Sequence, residues 1–298
     1  MASSTDYLKL HFIVFLWGFL AILGKLVTIP AVEMVWYRSI FAAMGMGAVI
    51  YLSSGTFKVS RPDLFKLLAI GAIVSLHWIA FFGSARVSNV SVSLVGFATN
   101  SLWAAILEPW FNKTRIKKYE VLLGLIVIAG LYIIFSFDFQ YKVGLLIGIF
   151  AGFSSSVFAV LNSRMVKRVS ARSITFYEMI GVFLATGVFL PFLQLAGVAL
   201  RFPLLPTGMD FLYIAILAGV CSVYAYTVAV DLMKRISVFM IQLTLNLEPL
   251  YGIIMAVIIF GQQEKMNLNF YIGTLVILGA VITYPMVKKR YDRTVLVD

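Results

Sequence analysis

Charge is scarce in this chain. Of 298 residues only 12% are Asp, Glu, Lys or Arg, while 61% are hydrophobic, and the mean hydropathy is +0.98. That is too apolar for a soluble globular protein and too evenly apolar for a domain held by one anchor. Cysteine is nearly absent: Cys221 stands alone, which excludes an intramolecular disulfide, and its apolar surroundings mark it as a small core residue. Histidine occurs twice, as His11 and His77, with neither Cys-x-x-Cys nor His-Glu-x-x-His nearby, so no metal-ligand spacing exists. A G-x-x-x-x-G-K-S/T loop is missing, which argues against direct use of ATP. Paired intramembrane aspartates and a Ser/His pair are missing too, and Asp231 beside Lys234 and Arg235 reads as an ion pair at a helix end. No catalytic residue, metal or cofactor is therefore predicted. Acid is the scarcer charge, with 13 Asp and Glu against 24 Lys and Arg. The excess base lies between apolar runs, where anionic lipid headgroups sit. No aromatic-plus-basic surface module remains for nucleic acid.

What is present is apolar sequence in long runs. Spanning hydrocarbon takes about 20 helical residues, and runs of that order recur at 9–28, 33–52, 64–84, 89–110, 119–137, 143–163, 173–196, 209–231, 236–260 and 268–287. They lack the period-2 alternation of barrel strands. No small-residue cleavage site follows the first run, so it reads as a retained helix. Of the 24 Lys and Arg, 18 fall in alternate connections and at the two ends, four (Arg86, Lys142, Arg201, Lys265) fall in the others, and Lys25 and Arg38 lie within runs. This bias predicts an even number of spans with both termini cytoplasmic, in the plasma (inner) membrane.

The runs repeat. Ser91-Val92 and Asn100 reappear at Ser237-Val238 and Asn246. Trp17-Gly18-Phe19 matches Ala151-Gly152-Phe153, Tyr37-Arg38 matches Tyr177-Glu178, Asp63 and Ser75 match Asp210 and Ser222, and Gly124 and Gly130 match Gly273 and Gly279. The predicted fold is an all-α polytopic membrane protein of ten transmembrane helices in a 5+5 inverted repeat. Residues 1–142 form the first repeat, and 143–298 form the second with a short basic cytoplasmic tail. Five helices per repeat force the second to enter from the opposite face, and inverted halves can open one central site to each side in turn.

Trp17-Gly18, Arg38, the run Leu245-Asn246-Leu247-Glu248-Pro249, the Glu264 loop and the Gly273 to Gly279 helix give the chain, over about 9–287, a sequence that resembles the drug/metabolite transporter superfamily. The likeness is to its EamA-type ten-helix members. Glu248-Pro249 has no counterpart in the first half, where Asn100-Ser101-Leu102-Trp103 stands, and Glu108-Pro109 lies too near the cytoplasmic end to replace it. The resemblance implies export or exchange of small metabolites, often amino acids, through a cavity between the halves.

At 1.5 Å per residue, His77, Asn100, Ser154 to Ser156, Tyr224, Asn246 and Glu248 fall near mid-membrane, where polar groups mark substrate pathways or hydrogen-bond across helices. The substrate-binding candidates are His77, Asn100, Trp103, Tyr224, Gln242, Asn246 and Glu248; the gating or coupling candidates are Arg38, Glu178 and Trp17. Glu248 is either a partner for a substrate ammonium or proton, or an acid neutralised by burial. His77 is either a titrating group or a packing residue. Tyr224 and Tyr226 suit a cavity wall and ordinary packing equally. Arg38 and Glu178 hold equivalent repeat positions, yet their depths differ by on the order of 15 Å in a core of about 30 Å, which separates them into gates on opposite sides. The predicted function is a secondary transporter of small polar metabolites, amino acids or related compounds, moving them outward by alternating access. The alternatives are a nucleotide-sugar or phosphorylated-metabolite exchanger on the same fold, and a membrane-embedded enzyme or lipid-handling scaffold. Predicted partners are a small-molecule substrate and the lipid bilayer. The sequence assigns no oligomeric state.

Overall fold

A computed structural model describes residues 2–88, 90–135, 141–195, 205–248, 250–251 and 268–295. Among these the chain is helical without strands. In order the helices are α1 (Ser4–Leu26), α2 (Ala31–Leu52), α3 (Arg61–Val87), α4 (Val90–Phe97), α5 (Asn100–Asn112), α6 (Lys118–Phe135), α7 (Lys142–Met165), α8 (Ala171–Leu195), α9 (Gly208–Leu232), α10 (Val238–Leu245) and α11 (Leu268–Val295). Among the described residues six segments are long and apolar enough to cross a membrane: α2, α3, α7, Ala171–Phe192, α9 and Tyr271–Tyr291.

Helix starts follow local chemistry. Ser3 and Asp6 form a reciprocal capping box at α1, and Thr207 and Asp210 form another at α9. Ser60 accepts from the Asp63 amide at α3. Each such cap satisfies amides that the first helical turn leaves without partners. Asp63 and Asp210 do a second job. Asp63 pairs with Arg168, beyond α7, at 2.7 Å, and Asp210 accepts from the Thr28 amide at 2.8 Å and the Thr28 hydroxyl at 2.7 Å, just after α1. Each of these aspartates thus ties the start of its own helix to the segment that follows another, α7 or α1.

The centre is built on α3, which packs against α4, α7 and α8. Two crossings need glycine. A Cβ at Gly96 of α4 would lie 2.7 Å from the Cα of Gly148 on α7, and one at Gly71 of α3 would lie 2.8 Å from the Cα of Gly181 on α8. Such backbone-to-backbone approach is what small residues permit between membrane helices. Between the second pair, Ser75 and Thr186 share a hydroxyl hydrogen bond of 2.7 Å.

The expected continuous helix over 89–110 is broken. Its chain tightens at Ala98-Thr99, where the Thr99 amide bonds the Gly96 carbonyl three residues back at 3.2 Å and the Thr99 hydroxyl donates to the same carbonyl at 2.7 Å. A hydroxyl competing for a helix carbonyl favours such a turn. The segment from 236 breaks likewise at Asn246-Leu247, through bonds from Asn246 to Leu243 and from Leu247 to Thr244. Pro249, Glu264 and the far half of the 236–260 span lie outside the described residues. Two further departures are a π-helical stretch, Leu217–Tyr226, inside α9, and the continuation of α11 to Val295 where a tail was expected after 287.

Glu108-Pro109 acts at a distance from the Glu248 position. The Glu108 carboxylate accepts from the amides of Val238 at 3.1 Å and Phe239 at 2.9 Å, so α5 caps α10. Glu108→Ala should lower the thermal unfolding temperature in detergent, with a loss of about 0.5–2 kcal/mol. An unchanged melting curve would show that the cap adds nothing.

Candidate functional site

A small cavity of about 90 Å³ lies between α1, α2, α3, α7, α9 and α10. Its polar lining is contributed one side chain at a time from different helices, and most of these side chains are already oriented by a neighbour. From α1, Trp17 donates its indole N–H to the Cys221 carbonyl of the π-helical stretch at 3.2 Å. From α2, Arg38 is 2% exposed, donates Nε–H to Ser222 Oγ at 2.9 Å and places its guanidinium 4.2 Å from the Trp78 ring centre. Burying a cation without a bonded carboxylate is costly, and the indole face and hydroxyl offset part of that cost. From α3, His77 packs beside Phe81, Phe97 and Phe158 with Nδ1 2.9 Å from the Ala151 carbonyl. A carbonyl only accepts, so Nδ1 carries the proton, and the neutral ring keeps Nε2 as an acceptor.

The α10 side closes the ring. Gln242 donates Nε2–H to Ser155 Oγ at 3.2 Å, and its Oε1 is buried without a partner. Glu248, just past α10, lines the same cavity as Arg38. The two attract electrostatically, yet no ion pair joins them and the Glu248 carboxylate has no hydrogen-bond partner among the described residues. Tyr226 completes the lining. Its hydroxyl donates to Glu178 Oε2 at 2.7 Å, and the Asn162 amide donates to that hydroxyl at 3.1 Å and to the same carboxylate oxygen at 3.2 Å.

Of the residues expected at the site, the cavity brings together Trp17, Arg38, His77, Gln242 and Glu248. Glu178 stands behind Tyr226, fully buried, and shares no partner with Arg38. The other four are elsewhere. Asn100 is 0% exposed with neither side-chain atom bonded, and its carbonyl accepts from Ser156 at 2.6 Å. Asn246 donates to Ser101 at 3.2 Å; the paired asparagines thus sit at the two helix breaks and off the cavity lining. Trp103 packs edge-on against Phe153 at 5.3 Å. Tyr224 is 46% exposed and faces a different groove, whereas Tyr226 takes the cavity wall. Two residues apart on one helix, the two rings point to nearly opposite faces, so only one of them can take the cavity wall. Ser155, expected as one of the mid-membrane serines, lines the cavity; Trp78 and Asn162 were not among the expected site residues. The only sequence signal for Asn162 is an amide within an apolar helix.

Comparison with known proteins bears on this architecture. The sequence matches the EamA-like transporter family twice, over residues 7–136 and again over 142–284. The uncharacterized transporter YxxF of Bacillus subtilis (strain 168) is 22% identical over 138 residues, which is 43% of this chain and 44% of that protein. The chain therefore aligns with less than half the length of that relative. A solved crystal structure superposes with a TM-score of 0.77 at 15% identity, covering 96% of this chain and 99% of that one, a likeness of fold. With two family matches that together span nearly the whole sequence, the chain is a multi-pass membrane protein and belongs to the EamA-like transporter family.

Proposed function

We propose that this protein is a secondary transporter of small polar metabolites, amino acids or related zwitterions. It moves them outward across the plasma (inner) membrane by alternating access, with both termini cytoplasmic. The observation that carries this reading is the convergence of Arg38 and Glu248 on one small cavity without an ion pair between them. A zwitterion offers a carboxylate to the first and an ammonium to the second, and Gln242 Oε1 and His77 Nε2 add acceptors for an ammonium. The cavity's volume of about 90 Å³ is far below the range of about 300–1,000 Å³ for drug-sized ligands. Arg38 is its only lining Lys or Arg among the described residues. Both features favour a small zwitterion over a nucleotide sugar or phosphorylated metabolite.

A 5+5 inverted repeat of ten spans, with halves 1–142 and 143–298, supplies the two access states. Its support is the double family match, the reciprocal Asp63–Arg168 and Asp210–Thr28 ties and the helix break beside each of Asn100 and Asn246. The test is a thermal-shift screen of metabolites on purified protein, followed by flux of the hits into proteoliposomes. Small amino acids should stabilise the wild type, and Glu248→Gln should cut flux about tenfold or more by removing one charge-assisted contact. Stabilisation by nucleotide sugars alone, or wild-type flux in Glu248→Gln, would overturn the proposal.

A further inference from the structure

A second space lies on the other face of α9. Tyr226, Ala229, Val230 and Met233 face the central cavity, whereas Val223, Tyr224, Thr227, Val228, Asp231 and Leu232 face a groove of about 1020 Å³ between α9 and α1 on one side and α2 and α8 on the other. Its inner walls are aliphatic, with Met46, Val49, Ile50, Val223, Val228 and Leu232. Its rim is basic, with Lys9, Arg172, Lys234 and Arg235.

The rim charges are not all available. Lys234 Nζ pairs with Asp231 at 2.8 Å, and Arg235 is shared between Asp231 and Asp6, at 3.0 Å each. Lys9 is exposed and has no ion-pair partner among the described residues. Among the described residues Arg172 is held only by a neutral group, Ser53 Oγ, at 2.8 Å. This part of the rim is built in place: Ser173 donates to the Thr56 carbonyl at 2.8 Å and Tyr177 to the Phe57 carbonyl at 2.7 Å, fixing the turn after α2 onto α8. Two uncompensated cations therefore stand at one end of a deep aliphatic groove.

We infer that this groove is a binding site for one anionic phospholipid. Its phosphate lies between Lys9 and Arg172, and an acyl chain runs along Val49, Val223 and Val228 past the half-exposed ring of Tyr224. The charge selects an anionic headgroup, and the aliphatic walls select a lipid over a soluble phosphate. The site does not depend on what the central cavity carries.

The test is native mass spectrometry of the full-length protein released from detergent containing phosphatidylglycerol or phosphatidylcholine, with thermal shifts measured in parallel. Phosphatidylglycerol should be retained preferentially at one copy per chain and should raise the unfolding temperature. Lys9→Gln/Arg172→Gln should weaken its retention about tenfold, while Lys66→Gln, another exposed lysine, leaves it unchanged. Val228→Trp keeps every rim charge but fills the groove, and should also abolish retention. Equal retention of the two lipids, wild-type retention in the double variant, or equal competition by glycerol phosphate would each overturn the inference.

Discussion

Arg38→Ala should lower transport in proteoliposomes by about 100-fold or more, while Arg38→Lys retains an intermediate rate. Arg38 supplies the cavity's cation, is 2% exposed, and is held by Ser222 on one edge and Trp78 on its face. Alanine removes the cation, leaves Glu248 without its electrostatic counterpart and opens the wall between α2 and α9. Two charge-assisted hydrogen bonds from the guanidinium to a substrate carboxylate, at about 1.5–3 kcal/mol each, set the size of the expected loss. Lysine restores charge but not the planar fork or the stacked face. Flux should be normalised to folded protein from size-exclusion chromatography, because the truncation also disturbs packing. Wild-type flux per folded molecule in Arg38→Ala would remove Arg38 from the transport site.

Gly96→Val should prevent accumulation of folded protein. The first carbon of any side chain at Gly96 would lie 2.7 Å from two backbone atoms of Gly148, so relief requires α4 and α7 to move apart rather than a side chain to turn. Overpacking of this kind costs about 1–3 kcal/mol or more. Gly83→Ala provides the contrast: nothing lies within 4 Å of a Cβ there, and alanine is the better helix former by about 1 kcal/mol. A monodisperse Gly96→Val protein with wild-type thermal stability would show that this crossing is loose.

The helical class was legible because apolar length and capping chemistry are local properties. Ser60 with Asp63 and Thr207 with Asp210 are visible as spaced letters, and the helices begin where those pairs sit. The site was legible in depth but not in direction. Counting along a helix sets Tyr224 and Tyr226 at nearly one level, yet one lines the groove and the other the cavity, because residues two apart point to opposite faces and depth alone does not say which face meets the cavity. Asn100 and Asn246 each stand at a helix break, but their places in the sequence say nothing about which way an amide points there. Glu108 looked displaced from the Glu248 position and is; its partners, two amides of α10, are more than a hundred residues away and could be found only in three dimensions.

The ties at the helix ends differ in kind from the crossings between helices. Asp6 on Arg235 and Asp63 on Arg168 involve partly exposed cations that water can reach, so parting one costs only the small net value of a surface ion pair. The glycine crossings have no such substitute, since separating them leaves a void. Motion therefore has an inexpensive place to begin, at the latched ends, and fixed pivots about which to turn. Two arrangements separated by a few kcal/mol keep the rarer one populated at about 0.1–10%, and a ligand inverts such a balance only by favouring the rarer arrangement by more than that gap.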